Sequence, residues 1–297
     1  MSLTESLRGI TCPIVTPFDA ETGAVDEGAL ESLLEHLLAG GIDGLFPCGT
    51  TGEFASLSPE ERRRVTKLTV EHADGEVPVV AGAAGTSVAE TLSAIEDAAE
   101  VGADAAVVVA PYFHTANDPA GNQRFFEAVA DASSLPLVLY NIPVCTGRAI
   151  APETLAAVAE HETIVGLKDS SGDLEYTLAA RRRTPDDFLL LQGYDSLLVP
   201  LLRMGGDGGV NALSNVLPAL YGEVFDRADA ERGRRLQAVA IAPLFEACTE
   251  YGFAPVTKTA LAHRGVIPTD AVRPPLVAVP ETGQAAIAEA VDAALQV

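Results

Sequence analysis

The chain has 297 residues, enough to bury a substantial core without disulfides or metal, and its length fits one large domain or two of ordinary size. With 19 basic against 42 acidic residues it carries a net charge of −23, which sets aside nucleic acid and anionic membranes as partners because both would repel it. Apolar residues make up 48%, yet the longest apolar runs, such as Ala105 to Pro111, fall far short of the ~20 residues a membrane span needs.

No basic stretch followed by an apolar one and a small-residue cleavage site occurs between Met1 and Leu30. A soluble, cytoplasmic protein is expected. Cys12, Cys48, Cys145 and Cys248 lie far apart without metal-ligand spacing and read as reduced, mostly buried thiols. Of the 19 basic residues only Lys67, Lys168 and Lys258 are lysine. An acidic, lysine-poor surface resembles that of proteins from salt-loving cells, where counterions screen the self-repulsion.

Taken in chain order, short β-rich runs fall at Ile10–Val15, Ile42–Pro47, Val77–Ala81, Ala105–Ala110, Leu137–Asn141, Ile164–Lys168, Phe188–Gln192 and Gly208–Asn211. Several are apolar at nearly every position, as strands covered on both faces are. Between them lie longer segments with helical periodicity and marked starts, such as Ser58-Pro59-Glu60-Glu61 and Ser87 to Glu90. That alternation predicts an α/β fold, a (β/α)8 TIM barrel over residues 1–215. From about Val216 strand signals stop, so residues 216–297 are expected to form a C-terminal helical extension packed on the barrel as one structural unit.

Barrels of this kind carry their chemistry at the C-terminal ends of the strands. There the second strand ends in Gly49-Thr50-Thr51-Gly52-Glu53, the fifth in Tyr140-Asn141 and the sixth in Gly166-Leu167-Lys168-Asp169-Ser170. Lys168 alone among the lysines closes an apolar strand. Desolvation there would favour the neutral amine, the form that attacks a ketone, although a head snorkelling to solvent or paired with Asp169 fits the position as well. Lys67 reads as solvated, and Lys258 as helical and structural. Tyr140 could carry protons or simply pack. Gly49-Thr50-Thr51-Gly52 could present N–H groups and hydroxyls to a carboxylate, its glycines allowing the tight turn, or be a plain turn.

Together these patterns resemble the dihydrodipicolinate synthase / N-acetylneuraminate lyase family over nearly the whole chain. Gly49-Thr50-Thr51-Gly52-Glu53 is similar to its G-[TS]-T-G-E motif, Tyr140-Asn141-Ile142-Pro143 to its Y-N-x-P, and Gly166-Leu167-Lys168-Asp169 to its G-x-K-[DE]. The resemblance implies a class I carbon–carbon lyase in which pyruvate forms an imine with Lys168, Tyr140 moves the proton and Thr50 links that phenol to the site. It further implies that Thr50 and Thr51 grip the carboxylate, that Val210 offers its backbone, that no cofactor or metal is needed, and that the protein is a homotetramer acting on a 2-oxo acid and an aldehyde.

Two departures bear on the aldehyde. Synthases of the family carry an arginine two residues after the proline of Y-N-x-P, and a second tyrosine after the fourth strand; here Cys145 and Phe113 stand there. The pattern resembles more closely the branch that cleaves 2-keto-3-deoxygluconate, or its 6-phosphate, into pyruvate and glyceraldehyde or its phosphate. In that branch a G-x-D segment faces the sugar hydroxyls, and Gly193-Tyr194-Asp195 fits it, with Asp195 as acceptor or, alternatively, as a helix N-cap. His114, Arg148 and Gly205-Gly206-Asp207-Gly208-Gly209 are candidate phosphate contacts. The alternatives are dihydrodipicolinate synthesis from pyruvate and aspartate semialdehyde, and a non-catalytic 2-oxo acid binder. A metal-dependent barrel is disfavoured because His36, His72, His161 and His263 fall in helical stretches or their ends.

The surface reading predicts a higher unfolding midpoint in molar KCl than in dilute buffer, read by circular dichroism. Equal midpoints would remove it.

Overall fold

The computed structural model describes residues 2–113 and 118–297, so His114 lies outside the described residues. Eight parallel strands form the barrel: β1 (Gly9–Cys12), β2 (Gly44–Leu45), β3 (Val80–Gly82), β4 (Ala105–Val109), β5 (Leu137–Asn141), β6 (Ile164–Asp169), β7 (Leu189–Gln192) and β8 (Gly208–Gly209). The ladder runs β2-β1-β8-β7-β6-β5-β4-β3, and a parallel bridge from Leu45 to Val79 closes the ring.

β4, β5 and β6 match the apolar runs almost residue for residue. β1, β2 and β3 are shorter than their runs, and the cause is local. Pro13, Pro47 and Pro78 stand at or beside their ends, and proline has no N–H to give a ladder. Helix starts follow the caps: Ser58 accepts from Glu61 N and Ser87 from Glu90 N, each at 3.2 Å. The N-terminal turn Leu3–Ser6 delivers Leu7, 1% exposed, into the barrel interior.

Beyond β8 the helices Pro218–Asp226, Ala242–Tyr251, Phe253–His263 and Glu281–Ala294 follow, and Gln237–Ile241 is a π-helical turn. Tyr221, Val256, Leu261, Ile287 and Val291 share one hydrophobic core with Leu30 and Leu34 of the barrel layer. This shared cluster packs the extension against the barrel layer. Among the described residues no helix is long and apolar enough to cross a membrane.

A buried ion pair fastens the extension to the C-terminal end of the barrel strands. Lys258, in the helix Phe253–His263, donates to a carboxylate oxygen of Glu53, with both side chains fully buried. Its ammonium also donates to Ala271 O at 2.8 Å and lies 4.0 Å from the centroid of the Phe18 ring. The other Glu53 oxygen accepts from Arg273 N at 3.0 Å, and the Arg273 guanidinium forks onto Glu61 at 2.6 and 2.8 Å. Lys258 is thus structural, as expected, and it holds the strap that carries Pro275 and Leu276 over the mouth of the barrel.

Removing one partner of such a pair leaves an uncompensated buried charge. Lys258→Met is expected to cost ~3–5 kcal/mol of stability in urea unfolding, and the double variant Glu53→Gln/Lys258→Met to recover much of it. Additive losses in the double variant would contradict this coupling.

Candidate active site

Side chains alternate faces along a strand, so at the end of β6 Lys168 and Ser170 point inward while Asp169 points out. Lys168 is 4% exposed, and beneath it each of the other seven strands or their ends contributes a residue to a closed layer, Thr11, Phe46, Val138 and Leu191 among them. The cavity left in that layer is about 10 Å³, too small for bulk water. The Lys168 Nζ lies 4.1 Å from the centroid of the Tyr140 ring and 4.9 Å from that of Phe46. It neither snorkels to solvent nor pairs with Asp169. Burial pushes its pKa down to about 7, with the Asp195 charge acting in the opposite sense.

Tyr140 on β5 stands directly opposite Lys168 in the ladder and is 5% exposed. Burial pushes its phenol up to about 12, and hydrogen bonds with the hydroxyls of Ser170 and Thr50 work the other way. The phenol is therefore protonated at neutral pH and held by two hydroxyls that can pass a proton. This geometry brings together three of the residues singled out in the sequence, Lys168, Tyr140 and Thr50. Ser170 is an addition; its period-two spacing from Lys168 was the signal that could have found it.

The Gly49–Glu53 turn is built differently from expectation. The left-handed backbone falls on Cys48 (φ 58°) and Glu53 (φ 55°), not on the glycines. The glycines serve close packing instead: a Cβ on Gly49 would lie 3.0 Å from the Phe46 ring, and one on Gly52 would lie 2.9 Å from Ile14 O. Thr51, 6% exposed, lies inside this turn, and Thr50 at its exposed crest.

Asp195 requires a correction. It is fully buried, with Oδ1 accepting from Leu213 N at 3.0 Å and from the Tyr221 hydroxyl at 2.5 Å. Oδ1 thereby ties the end of β7 to the helices beyond β8, meeting Leu213 N in the first turn of the short helix Ala212–Asn215, while Oδ2 is buried without a hydrogen-bond partner among the described residues. Gly193 donates its N–H to Asp169 O at 2.7 Å. A Cβ there would sit 1.9 Å from Ser170 Oγ and 3.1 Å from Lys168 Cε, so its bare Cα makes room for both. Val210 uses its N–H on Gln192 O at 2.7 Å, and its side chain belongs to the layer under Lys168. Gly205, Gly206 and Asp207 precede β8 and so lie at the opposite end of the barrel. There Asp207 pairs with Arg8 and Arg181, each at 2.6 Å, which removes this segment as a phosphate contact.

Beside Thr50 a mostly apolar pocket of about 320 Å³ opens, walled by Tyr112, Ile142, Cys145, Pro275 and Leu276. Pro275 and Leu276 come from the strap, more than a hundred residues beyond Lys168, and nothing local in the sequence announced them. No basic side chain lines this pocket among the described residues. Nor does any group of three His, Cys, Asp or Glu side chains among them converge as metal ligands would.

The dihydrodipicolinate synthetase family model matches residues 6–294. The chain belongs to this family. Among curated relatives, the 4-hydroxy-tetrahydrodipicolinate synthases of Methanopyrus kandleri and Syntrophus aciditrophicus are each 39% identical, covering 91% and 93% of this chain and 90% and 94% of theirs. The dihydrodipicolinate synthase structure from Thermotoga maritima superposes with a TM-score of 0.92 at 29% identity, covering 98% of this chain and 99% of that one. The lysine-bound synthase from Cyanidioschyzon merolae gives 0.92 at 32% identity, with the same coverage. The family is one of class I aldolase-type enzymes that make and break carbon–carbon bonds.

Two outcomes check the site. Because only the neutral amine attacks a carbonyl, trapping of pyruvate on Lys168 by cyanoborohydride should speed up about tenfold per pH unit towards about 7 and level off above it. A rate still climbing at pH 10 would contradict the buried amine. Gly193→Ala should slow turnover by roughly 10-fold or more, since its Cβ displaces Ser170 and crowds Lys168; an unchanged rate would contradict the packing.

Proposed function

We propose that the protein is a pyruvate-dependent aldolase working through an imine at Lys168. The observation that carries this reading is a lysine amine buried 4.1 Å from the ring centroid of a hydrogen-bonded tyrosine, where burial pushes its pKa down to about 7. The neutral Lys168 amine adds to C2 of pyruvate, Tyr140 protonates the departing hydroxyl, and water leaves. The Tyr140 phenolate so formed takes a methyl proton, giving the enamine, whose electrons form the bond to an aldehyde carbon while the phenol returns its proton to the new alkoxide; cleavage runs the same steps backward. Electrons drain into the protonated imine, so this chemistry calls for no metal and no organic cofactor.

For the aldehyde, the relatives named 4-hydroxy-tetrahydrodipicolinate synthase support aspartate semialdehyde ahead of the keto-deoxy sugar acid that the sequence pattern favoured. The sugar-acid reading stands second on one specific observation: the pocket beside Thr50 has Cys145 where the synthases carry arginine, and no basic side chain lines it among the described residues. A charge-assisted contact to the semialdehyde carboxylate would contribute ~1.5–3 kcal/mol, and an uncharged polyol chain does without it. Assembly of four copies and a cytoplasmic location belong to the same reading.

Pyruvate with cyanoborohydride should leave one covalent adduct, on Lys168, and Lys168→Ala should leave none. An adduct on Lys67 or Lys258, or no adduct at all, would overturn the imine. Pyruvate with aspartate semialdehyde should turn over faster than pyruvate with glyceraldehyde; the reverse order gives the sugar-acid reading first place.

A further inference from the structure

On the outer face of the sheet, behind the two reacting residues, a second pair spans the same strands. Asn141 and Asp169 are opposite one another in the ladder, one step beyond Tyr140 and Lys168, and they are 1% and 2% exposed. Asn141 Nδ2 donates to Asp169 Oδ1 at 2.7 Å, while Asn141 Oδ1 accepts from Ile150 N at 2.9 Å. Asp169 Oδ2 accepts from the hydroxyls of Ser171 and Thr177, at 2.9 and 3.2 Å. Every oxygen of the pair is thus engaged, although a buried carboxylate is a costly way to fill space.

The ladder between these strands contains an irregularity at its other end: Leu137 pairs with Ile164, but Val138 pairs with Gly166. Register established at the bottom of β5 and β6 therefore does not carry through to the top. A slip of one residue there would turn Lys168 out of the barrel and Asp169 in. The same Asn141 also anchors Ile150, at the far end of the segment that supplies Ile142 and Cys145 to the pocket wall.

We propose that Asn141 and Asp169 are positioning residues for the reaction, their side-chain bond setting Tyr140 against Lys168 on the inner face and fixing the wall of the aldehyde pocket. This rests on the imine reading above. The pair acts through the residues beside it and touches neither pyruvate nor aldehyde.

The pair can be inverted. Asn141→Asp alone sets two carboxylates face to face, whereas adding Asp169→Asn reverses donor and acceptor and keeps acceptors for Ile150 N and for the Ser171 and Thr177 hydroxyls, giving up only the 3.2 Å contact from Ser171 N to Asp169 Oδ1. The readout is deuterium entry into the methyl group of pyruvate in heavy water, followed by NMR at saturating pyruvate. It needs the enamine but no aldehyde. In folded Asn141→Asp the maximal exchange rate should fall by ~10–100-fold with the half-saturating pyruvate concentration little changed, and the double variant should return to within a few-fold of the parent. Asn141→Ala, which removes the bond without adding charge, serves if Asn141→Asp does not fold. A folded single variant exchanging at the parent rate, or a double variant that regains the fold but not the rate, overturns the proposal. If the parent protein itself gives no trapped adduct on Lys168, the imine reading fails and takes the pairing with it; a trapped parent with unaffected variants defeats the pairing alone.

Discussion

A primary amine without bulk water around it is the constraint on which the rest of the structure depends. Lys168 ends an apolar strand above a layer to which every strand contributes, with the Tyr140 and Phe46 rings within 5 Å of its amine and no room for bulk water below. Desolvation raises the cost of the ammonium far more than that of the amine, so a side chain that would be charged on the surface is neutral for part of the time near pH 7. The barrel is what makes such a place. A closed parallel sheet has both faces covered, and it releases polar side chains only where its strands end.

The neighbouring parts serve that amine. Tyr140 gives it a protonated phenol, Thr50 and Ser170 hold the phenol, and Gly193 leaves the space that Ser170 and the lysine stem occupy. Farther out, the Glu53–Lys258–Arg273 network joins turn to strap, so that residues more than two hundred positions apart meet at one pocket. A second buried lysine in so lysine-poor a protein also shows why position alone is no guide to chemistry. Burial pushes Lys258 down as well, to about 8, but its ammonium lies against the Glu53 carboxylate and is not free to attack.

Much of this was legible in the sequence because it depends on local periodicity. Continuous apolar runs broken by capped helical segments point to eight strands in order, and the polar residues at the ends of three of them single out Lys168, Tyr140 and Thr50. What was not legible depends on packing across the chain. Asp195 fits the family's G-x-D segment as a hydroxyl acceptor or a helix N-cap, yet its Oδ1 is taken by Tyr221 and Leu213 from beyond β8. Glycines in the Gly49–Glu53 turn point to a tight turn, but which residues would be left-handed is not legible: they are Cys48 and Glu53, while Gly49 and Gly52 pack closely on Phe46 and Ile14. Pro275 and Leu276 reach the pocket only because a buried ion pair holds their strap there, and no local pattern encodes that.

With only three lysines, the protonation of each can be followed by NMR on protein labelled with ¹⁵N at Nζ, the Lys168 signal being the one absent from Lys168→Ala. The account predicts that this signal titrates near pH 7 in the unliganded protein. Titration at the ordinary lysine value of about 10.4 would contradict it, because an amine charged at neutral pH could not be the nucleophile on which the site is built.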